Sequence, residues 1–454
     1  MPSLRRAHVA LGVLVVAAVA VRIPLLGGPE IDYDEGVYWE SLRAMSAGHP
    51  LFSQVYSSQP PGFLAAVYPF YLLGHSLVAA RAGMLVFFAI ALGATYVATR
   101  ALIGERAALL AALLLAIDPL ALRQSLALQA DGPAMALGMV AVALALQRAR
   151  AGTRLDAALP MLSGAALALA VQVKLLAVVF AVPVILGLYS RRRLLAGAAG
   201  AIAAGAVVLL PFATRLDLVW QQAVAGHVSA RALNEGGWTA DMRAMLLRET
   251  LLGVTGIAGA VVLAMRRAGR VLLVLGAGLA AVVALAAVQH PLWPHHLVVA
   301  VPLLAIAGGA LATVAVPRLV SAALAAGATV GMLAVAEGAL HDPATADTVR
   351  EAVAVLRHVA PAGIPIITDD QFSAAQADLD TPPELVDTSV VRLDSQPVTA
   401  GDVEAVAVRD GVRVVYLGTN RLVHLDGFAA WLQQHATRRI DVTAAASVYL
   451  LAAP

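Results

Sequence analysis

Four carboxylates lie within ten residues in the sequence IDYDEGVYWE, residues 31–40: Asp32, Asp34, Glu35 and Glu40. Closely spaced carboxylates repel one another, so at least one tends to have a raised pKa unless a cation neutralises it. A carboxylate with a raised pKa is suited to act as a general base. The alternative is a solvated helix cap, with Asp34 at the start of a helix that continues as EGVYWESLRAMSAG. A capping role and a catalytic role are compatible.

Three further charged residues interrupt apolar sequence. Lys174, in VQVKLL, is the only lysine of the chain. It either extends to the membrane interface or contacts an anion such as a lipid phosphate. Arg123, in LRQSLALQAD, has the same two interpretations. Asp131 precedes Gly-Pro and therefore suits the N-terminal cap of a helix.

Three histidines, His290, His295 and His296, share the segment HPLWPHH with Trp293. Histidines together with carboxylates suggest a metal, but this segment lacks a standard ligand spacing. Contact with a phosphate and an interfacial girdle of aromatic and imidazole rings are the other two interpretations. The chain has no cysteine, which excludes disulfides, thiol catalysis and cysteine-ligated metal. The sequence requires no cofactor and leaves a role for a divalent metal open.

The composition identifies the elements that must position these residues. The 454 residues are 60% hydrophobic and only 13% charged, with a mean hydropathy of +0.81. A soluble domain would carry roughly twice that charged fraction. Apolar runs long enough to cross a bilayer recur along the chain. These features predict an α-helical polytopic membrane protein rather than a large soluble helical protein. The net charge of only +2 implies no bulk attraction to nucleic acid.

About eleven apolar segments are predicted to span the membrane, and the first, within residues 1–26, reads as a retained signal anchor. Five alternate connections between the segments are basic, as cytoplasmic loops tend to be. This pattern places the N-terminus in the cytoplasm of a multi-pass plasma-membrane protein. The predicted segments are about 8–26, 81–100, 106–118, 131–147, 157–172, 175–190, 194–212, 247–265, 271–288, 297–316 and 319–339, and the basic connections are 100–106, 148–154, 190–193, 266–270 and 316–318.

The predicted topology places the outer loop 27–80 and the tail 341–454 on the same outer side. The loop contains YSSQPPGFLAAVYPFYLLG, whose apolar stretch is too short to span and suits an interfacial helix. The tail holds 15 of the chain's 29 acidic residues and 8 of its 31 basic residues. Its alternating patterns predict a small extracytoplasmic α/β domain, separate from the membrane module 1–340. No glycine fingerprint follows its strands, so a structural cap or lid is the simplest role.

Taken in order, these motifs resemble the GT-C glycosyltransferases, and more narrowly the family 39 branch of protein mannosyltransferases and bacterial lipid A aminoarabinose transferases. The resemblance covers nearly the whole chain and depends on the order of the motifs, since no single motif is specific. Two family anion contacts, a lysine before Pro-Pro and an arginine after Asp-Glu, are replaced by Gln59 and Val37, so a reaction on lipid A is not supported. The matching segments are DEGVY at 34–38, SQPPGF, RQSLALQADGPAMAL, VQVKLLAVVFAVPVIL, HPLWPHHLVVAVPLLAIAGG and TDDQFSAAQADLDTPPELVDTS.

The resemblance implies transfer of a sugar from a polyprenyl-phosphate carrier to a hydroxyl of a glycan, lipid or protein acceptor at the outer face. It implies that Asp34 is the general base of an inverting reaction, with Glu35 orienting the loop or assisting a metal. Cations near the departing phosphate would stabilise its growing charge. The residues predicted to contact the donor or its phosphate are Lys174, Arg123, His295, His296 and Gln59, and further candidates for the site are Asp32, Tyr38, Asp131 and His290.

The alternative class is a transporter or flippase of lipid-linked sugars that performs no chemistry, because charge within a membrane often marks a substrate path. Two features of the sequence argue against it. The apolar segments show no obvious inverted repeat of broken spans, and the carboxylates cluster on one predicted side of the membrane. A transporter would also need a polar path from Asp34 to the arginine-rich side.

Overall fold

The computed structural model describes residues 2–148, 153–229, 249–289, 292–314, 343–395 and 398–452, together with Arg243, Leu246 and Leu247. Helices dominate this part of the chain, and a small sheet occurs near its C-terminal end. The predicted span 319–339 lies outside the described residues.

The helices up to residue 314 are mostly apolar and follow one another with short connections. Their α-helical bounds are Pro2–Ala20, Tyr33–Ser46, Gly62–Leu72, Leu77–Leu102, Glu105–Ile117, Pro119–Leu126, Asp131–Leu146, Arg154–Val173, Ala181–Leu188, Arg191–Leu209, Leu216–Trp220, Gly226–Ser229, Thr250–Met265, Gly269–Val288 and Val301–Gly309. Shorter 3₁₀ segments are Ile23–Leu25, Leu175–Phe180, Leu210–Arg215, Pro294–Ala300 and Ala310–Thr313, and Gln221–Ala225 is a π-helical turn.

Within the described residues, six helical stretches have the length and apolar composition to cross a membrane. A seventh would be the pair Pro119–Leu126 and Asp131–Leu146, which is bent by 112°. The predicted count of eleven is therefore not confirmed, although the class of helical membrane protein is. The outer loop predicted from residue 213 is helical as far as Ser229. The six stretches are Arg6–Leu25, Leu77–Leu102, Arg154–Val173, Arg191–Ser229, Gly269–Val288 and Pro294–Thr313.

Small residues let neighbouring membrane helices approach closely. The most extensive contact joins helix Arg154–Val173 to helix Arg191–Leu209. A Cβ atom on Gly164 would collide with the carbonyl oxygen of Gly197, so the two backbones touch there. Such packing is typical of membrane helices, where close van der Waals contact replaces the hydrophobic effect as the driving force for association.

The segment 27–80, predicted to be the first outer loop, contains two helices, Tyr33–Ser46 and Gly62–Leu72. The N-terminal cap of the first one is Asp32, whose Oδ1 accepts a hydrogen bond from the backbone N–H of Asp34 at 3.3 Å. The prediction that Asp34 caps this helix is therefore wrong by two residues. Asp32 has the extended backbone conformation of a cap, whereas Asp34 already lies in the first helical turn.

The C-terminal residues form a four-stranded sheet with the order β1-β2-β4-β3. Its strands are β1 (Ile367–Thr368), β2 (Val414–Leu417), β3 (Ala436–Asp441) and β4 (Ser447–Leu451). β1 and β2 are parallel, and the other neighbours are antiparallel. The predicted strands at IPIIT, VRVVYLG and SVYLLAA are confirmed, and β3 was not predicted because ATRRID is polar and mostly exposed. The domain's α-helices are Pro343–Val359, Gln371–Gln376, Val390–Ser395, Ala400–Arg409 and Phe428–His435, and its 3₁₀ turns are Pro383–Leu385 and Leu422–His424.

Side chains that alternate along β2 pack on opposite faces of the sheet. Val414 and Tyr416 face a cluster that includes Leu356 of helix Pro343–Val359. Val415 and Leu417 face the helices that contain Val403 and Phe428. The sheet therefore lies between two helical layers, and the predicted small α/β domain is present.

Candidate active site between the membrane helices and the C-terminal domain

The C-terminal domain packs directly on the acidic helix Tyr33–Ser46. The backbone and side-chain hydroxyl of Thr381 donate to Oε2 of Glu40 at 3.2 and 3.1 Å. Arg43 forms ion pairs with Asp378 at 3.0 Å and Asp380 at 2.7 Å. The ring of Phe372 meets Trp39 edge to face, with centroids 5.8 Å apart. These contacts hold the domain over the first outer loop.

A cavity of about 410 Å³ lies where the membrane helices, the first outer loop and the C-terminal domain meet. Its walls combine charged, imidazole and apolar side chains from segments that are far apart in the sequence. The lining residues are Asp32, Tyr33, Asp34, Ser58, Gln59, Arg123, Lys174, Leu175, Leu176, His227, Gln289, Trp293, His295, His296, Ser389, Val390, Val391 and Arg421.

Asp34 lines the cavity with an unpartnered carboxylate. Within the described residues, this carboxylate makes no hydrogen bond and no ion pair, although the side chain is half-buried. Burial raises the pKa of Asp34 to about 8, with a further increase from the charge of Asp32 and an opposing effect from Lys174. The arrangement provides a carboxylate that can accept a proton from a molecule in the cavity.

Asp32 is held by two neighbours in addition to its capping role. Arg123 donates from Nη2 to Oδ2 of Asp32 at 2.9 Å and to the carbonyl oxygen of Ile31 at 2.7 Å. Nδ1 of His295 lies 3.7 Å from the same Oδ2. Asp32 is therefore partnered on the cavity wall, whereas Asp34 is free to react.

Glu35 does not line the cavity. Both of its oxygens accept hydrogen bonds from Arg81, at 2.9 and 2.8 Å, and both side chains are completely buried. Its oxygens also accept from the backbone N–H groups of Leu128 at 2.8 Å and Ile31 at 2.7 Å. The prediction of a direct catalytic or metal-binding role is contradicted by this geometry. The weaker prediction, that Glu35 orients the loop, fits it.

Lys174 and Asp131 form a second buried ion pair, with Nζ 2.6 Å from Oδ2. The predicted N-cap role of Asp131 is wrong, because Ala130 is the capping residue and Asp131 is the first residue of the helix. Lys174 ends helix Arg154–Val173 and lines the cavity, but its ammonium group already has a carboxylate partner. The predicted contact of Lys174 with a phosphate remains a prediction.

The remaining candidates divide between the cavity wall and the protein interior. His295 and His296 line the cavity, with perpendicular rings 4.6 Å apart. Gln59 also lines it. Tyr38 instead packs edge to face on Phe63, with ring centroids 4.8 Å apart, and is not part of the wall. The candidate His290 lies outside the described residues.

Several cavity residues were not predicted from the sequence. Tyr33 directly precedes Asp34, and Trp293 lies within the predicted histidine loop, so both were close to recognised motifs. His227 donates from Nε2 to the backbone carbonyl oxygen of Ser58 at 2.7 Å. Arg421 belongs to the C-terminal domain, where no local motif marks it. The tertiary structure brings Arg421 to the cavity, because β1 and β2 are parallel and the loops after their carboxyl ends lie at one edge of the sheet.

Among the described residues, no group of three or more histidine, aspartate or glutamate side chains is arranged to hold a metal ion. The pair of Asp32 and His295 supplies two groups with ligand chemistry, and the unpartnered Asp34 lies on the same cavity wall. A role for a divalent metal remains a prediction from the sequence.

Comparison with known proteins finds one matching family and several structures with a similar fold. Residues 58–220 match the family described as dolichyl-phosphate-mannose-protein mannosyltransferase. No curated protein sequence matches the chain.

Among the solved structures that share the fold are three enzymes. ArnT from Cupriavidus metallidurans, bound to undecaprenyl phosphate, has a TM-score of 0.73 at 15% identity, and the match covers 97% of each chain. The oligosaccharyltransferase AglB from Archaeoglobus fulgidus, in complex with an inhibitory peptide and a dolichol-phosphate, has a TM-score of 0.54 at 14% identity, covering 97% of this chain and 74% of AglB.

The arabinofuranosyltransferase AftD from Mycobacteria has a TM-score of 0.53 at 15% identity, covering 97% of this chain and 41% of AftD. These identities are low, so the likeness establishes the fold and leaves the roles of individual residues to their geometry. The chain therefore has the fold of the membrane protein ArnT, and its segment 58–220 is similar to the family described as dolichyl-phosphate-mannose-protein mannosyltransferase.

Proposed function

We propose that this protein transfers a sugar from a polyprenyl-phosphate-linked donor to a hydroxyl group of an acceptor. The observation that carries the proposal is the carboxylate of Asp34, unpartnered among the described residues and facing a cavity that cationic side chains also line. The GT-C fold supports the donor class, because ArnT and AglB were solved with polyprenyl phosphates bound.

In this reaction Asp34 is the general base. Its carboxylate takes the proton of the acceptor hydroxyl while the hydroxyl oxygen forms a bond to the anomeric carbon of the donor. The bond from that carbon to the phosphate oxygen breaks, and the polyprenyl phosphate leaves with the bonding electrons. A single displacement of this kind inverts the anomeric centre and needs no covalent enzyme intermediate. The raised pKa of Asp34 makes it a stronger base than an ordinary aspartate.

The departing phosphate gains negative charge as the bond breaks, so nearby hydrogen-bond donors lower the barrier. Arg123, Lys174, His295 and His296 can supply such donors from the cavity wall. Arg123 and Lys174 are each paired with an aspartate, which fixes their positions before the substrate arrives. Pre-positioned donors need no reorganisation during the reaction, and this increases their effect.

The alternative function is movement of a lipid-linked sugar across the membrane without chemistry. A transporter requires a polar path from the cavity to the opposite, arginine-rich side of the membrane. The cavity lining includes no residue of the basic connections that the structure describes, such as Arg100, Arg106 and Arg266. This observation favours transfer over transport.

The decisive experiment is incubation of the purified protein with a panel of polyprenyl-phosphate sugars, with release of free polyprenyl phosphate as the measured product. Asp34→Asn removes the base and should slow turnover at least about a hundredfold. Asp32→Asn is the comparison: it keeps a capping side chain next to the same cavity and weakens only the pairing of Arg123, so it should slow turnover much less. Normal turnover in Asp34→Asn, or loss of turnover only in Asp32→Asn, would refute the assignment.

A further inference from the structure

The cationic side chains of the cavity differ in whether an acidic partner neutralises them. The Arg and Lys residues of the lining in the described structure are Arg123, Lys174 and Arg421. Arg123 is paired with Asp32, and Lys174 is paired with Asp131. Arg421 has no carboxylate within ion-pair distance among the described residues, so it is the cation whose charge is most available to a ligand.

The flat face of the Arg421 guanidinium group contacts the aromatic ring of Tyr33. Its guanidinium carbon lies 3.5 Å from the centroid of the Tyr33 ring, in a cation–π contact. Nη1 is buried and has no hydrogen-bond partner in the described structure. A guanidinium can bind two oxygens of one anion through a pair of N–H groups at its edge, and a cation–π contact to its face does not use those groups. A buried donor without a hydrogen-bond partner is costly.

The loop that carries Arg421 is firmly anchored within the C-terminal domain. The carboxylate of Asp369, which follows β1, accepts hydrogen bonds from the backbone N–H groups of Gly418 at 2.8 Å, Thr419 at 3.0 Å and Leu422 at 3.2 Å. Asp369 is completely buried. Because β1 and β2 are parallel neighbours, the loop after each strand lies at the same edge of the sheet, and this edge faces the cavity through Arg421.

We propose that Arg421 binds the phosphate group of the lipid-linked donor, so that the C-terminal domain forms part of the donor site. The inference rests on the proposed function for the identity of the phosphate as that of a polyprenyl carrier. A phosphate diester offers two unesterified oxygens that share one negative charge. This pattern matches the paired N–H groups of a stacked guanidinium.

The test is direct binding of undecaprenyl phosphate, without a sugar, to the purified full-length protein in lipid nanodiscs. Arg421→Gln keeps a polar side chain but removes the charge, and it should weaken binding about tenfold or more. Arg421→Lys restores the charge without the planar pair of donors and should lie between Arg421→Gln and the wild type. Arg438→Gln, on the exposed strand β3 of the same domain, is the charge-matched control and should bind normally.

Two further measurements keep the result interpretable. Thermal unfolding of each variant shows whether a loss of binding comes from a loss of fold. Inorganic phosphate, added as a competitor, separates recognition of the phosphate from recognition of the lipid chain: it should compete less effectively in Arg421→Gln than in the wild type. Unchanged affinity of folded Arg421→Gln for undecaprenyl phosphate would overturn the proposal.

The binding test also separates this inference from the proposed function. If the wild type releases no polyprenyl phosphate from any sugar donor, yet Arg421→Gln loses affinity for the lipid, the transfer reaction fails and the phosphate site stands. If the wild type does turn over and Arg421→Gln binds the lipid normally, the transfer reaction stands and the phosphate site fails.

Discussion

Arg81 grips both carboxylate oxygens of Glu35, from Nε at 2.9 Å and from Nη2 at 2.8 Å, in a pair that no solvent reaches. The same guanidinium donates to the carbonyl oxygens of Leu26, Gly28 and Pro29. Glu35 and Arg81 thus tie the end of the first membrane helix to the start of the acidic helix. This connection fixes the backbone next to Asp34, so Glu35 supports the candidate base without touching the cavity.

Glu35→Gln should therefore destabilise the fold, because it leaves the charge of Arg81 buried without its partner. Removal of one member of a buried ion pair typically costs about 3–5 kcal/mol. Thermal unfolding of the detergent-solubilised protein measures this loss. Asp34→Asn provides the comparison, since no ion pair is broken there and the unfolding temperature should stay close to that of the wild type. Equal unfolding temperatures for Glu35→Gln and the wild type would contradict a structural role for the pair.

The pKa of Asp34 predicts how turnover depends on pH. A general base acts in its deprotonated form, and burial raises the pKa of Asp34 to about 8. In the free enzyme, kcat/KM should therefore rise with pH and level off near pH 8, with roughly a tenfold loss for each pH unit below that value. A pH profile measured between about pH 6 and 9 checks the slope. A profile that is flat across this range would remove Asp34 from the role of base.

Lys174→Met should destabilise the protein, because the carboxylate of Asp131 would remain buried without its cation. The expected loss is about 3–5 kcal/mol, and adding Asp131→Leu should recover most of it, since an apolar pair of similar size often replaces a buried ion pair without cost. Unfolding of the two single variants and the double variant forms a double-mutant cycle. If the double variant is no more stable than Lys174→Met, the pair is not the reason for the loss.

Gly36→Ala tests whether the C-terminal domain must seat closely on the acidic helix. A Cβ atom at position 36 would collide with the backbone nitrogen of Phe372 and lie 2.9 Å from its Cα. The domain would have to shift, and turnover should fall while the membrane helices stay folded. Gly93→Ala is the matched control, because it also lies in a helix and its added Cβ would meet open space. Equal turnover in Gly36→Ala and Gly93→Ala would show that close seating is dispensable.

The basic connections predict that the C-terminal domain lies outside the membrane on the same side as Asp34. Contacts between that domain and helix Tyr33–Ser46 require the two to share a side. A protease added to the outer face of spheroplasts should therefore remove the domain. The control is a reporter fused to the N-terminus, which the sequence predicts to be cytoplasmic and which should stay intact. Protection of the C-terminal domain in sealed right-side-out membranes would reverse the orientation.

The acidic stretch illustrates how far the sequence alone leads. Its composition predicts a chemical site, and Asp34 does line the cavity. The other carboxylates of the stretch bind partners that no local pattern reveals. Asp32 accepts a hydrogen bond from Arg123, some ninety residues away, and Glu40 accepts one from Thr381. A run of carboxylates predicts that charges must be neutralised, but it does not say which residue neutralises each one.

In the C-terminal domain the sequence predicts the secondary structure but not which residues reach the cavity. Alternating apolar residues in VRVVYLG predict a strand, and the periodicity of TVREAVAVLRHV predicts a helix; both are confirmed. The position of Arg421 on the cavity wall was not predicted, because a single arginine after a strand has no distinctive spacing. Arg421 reaches the cavity only through the parallel pairing of β1 with β2 and the docking of the whole domain.

The cavity wall is built from residues at both ends of the chain, so it is completed only late in synthesis. Asp34 is translated early, whereas Arg421 and the segment Ser389–Val391 are added hundreds of residues later. A ribosome-bound chain that has threaded all of its apolar segments into the bilayer still lacks part of the cavity. The same applies to a chain cut after the last membrane helix. On the proposed function, such unfinished or clipped molecules would lack part of the donor site and should not turn over.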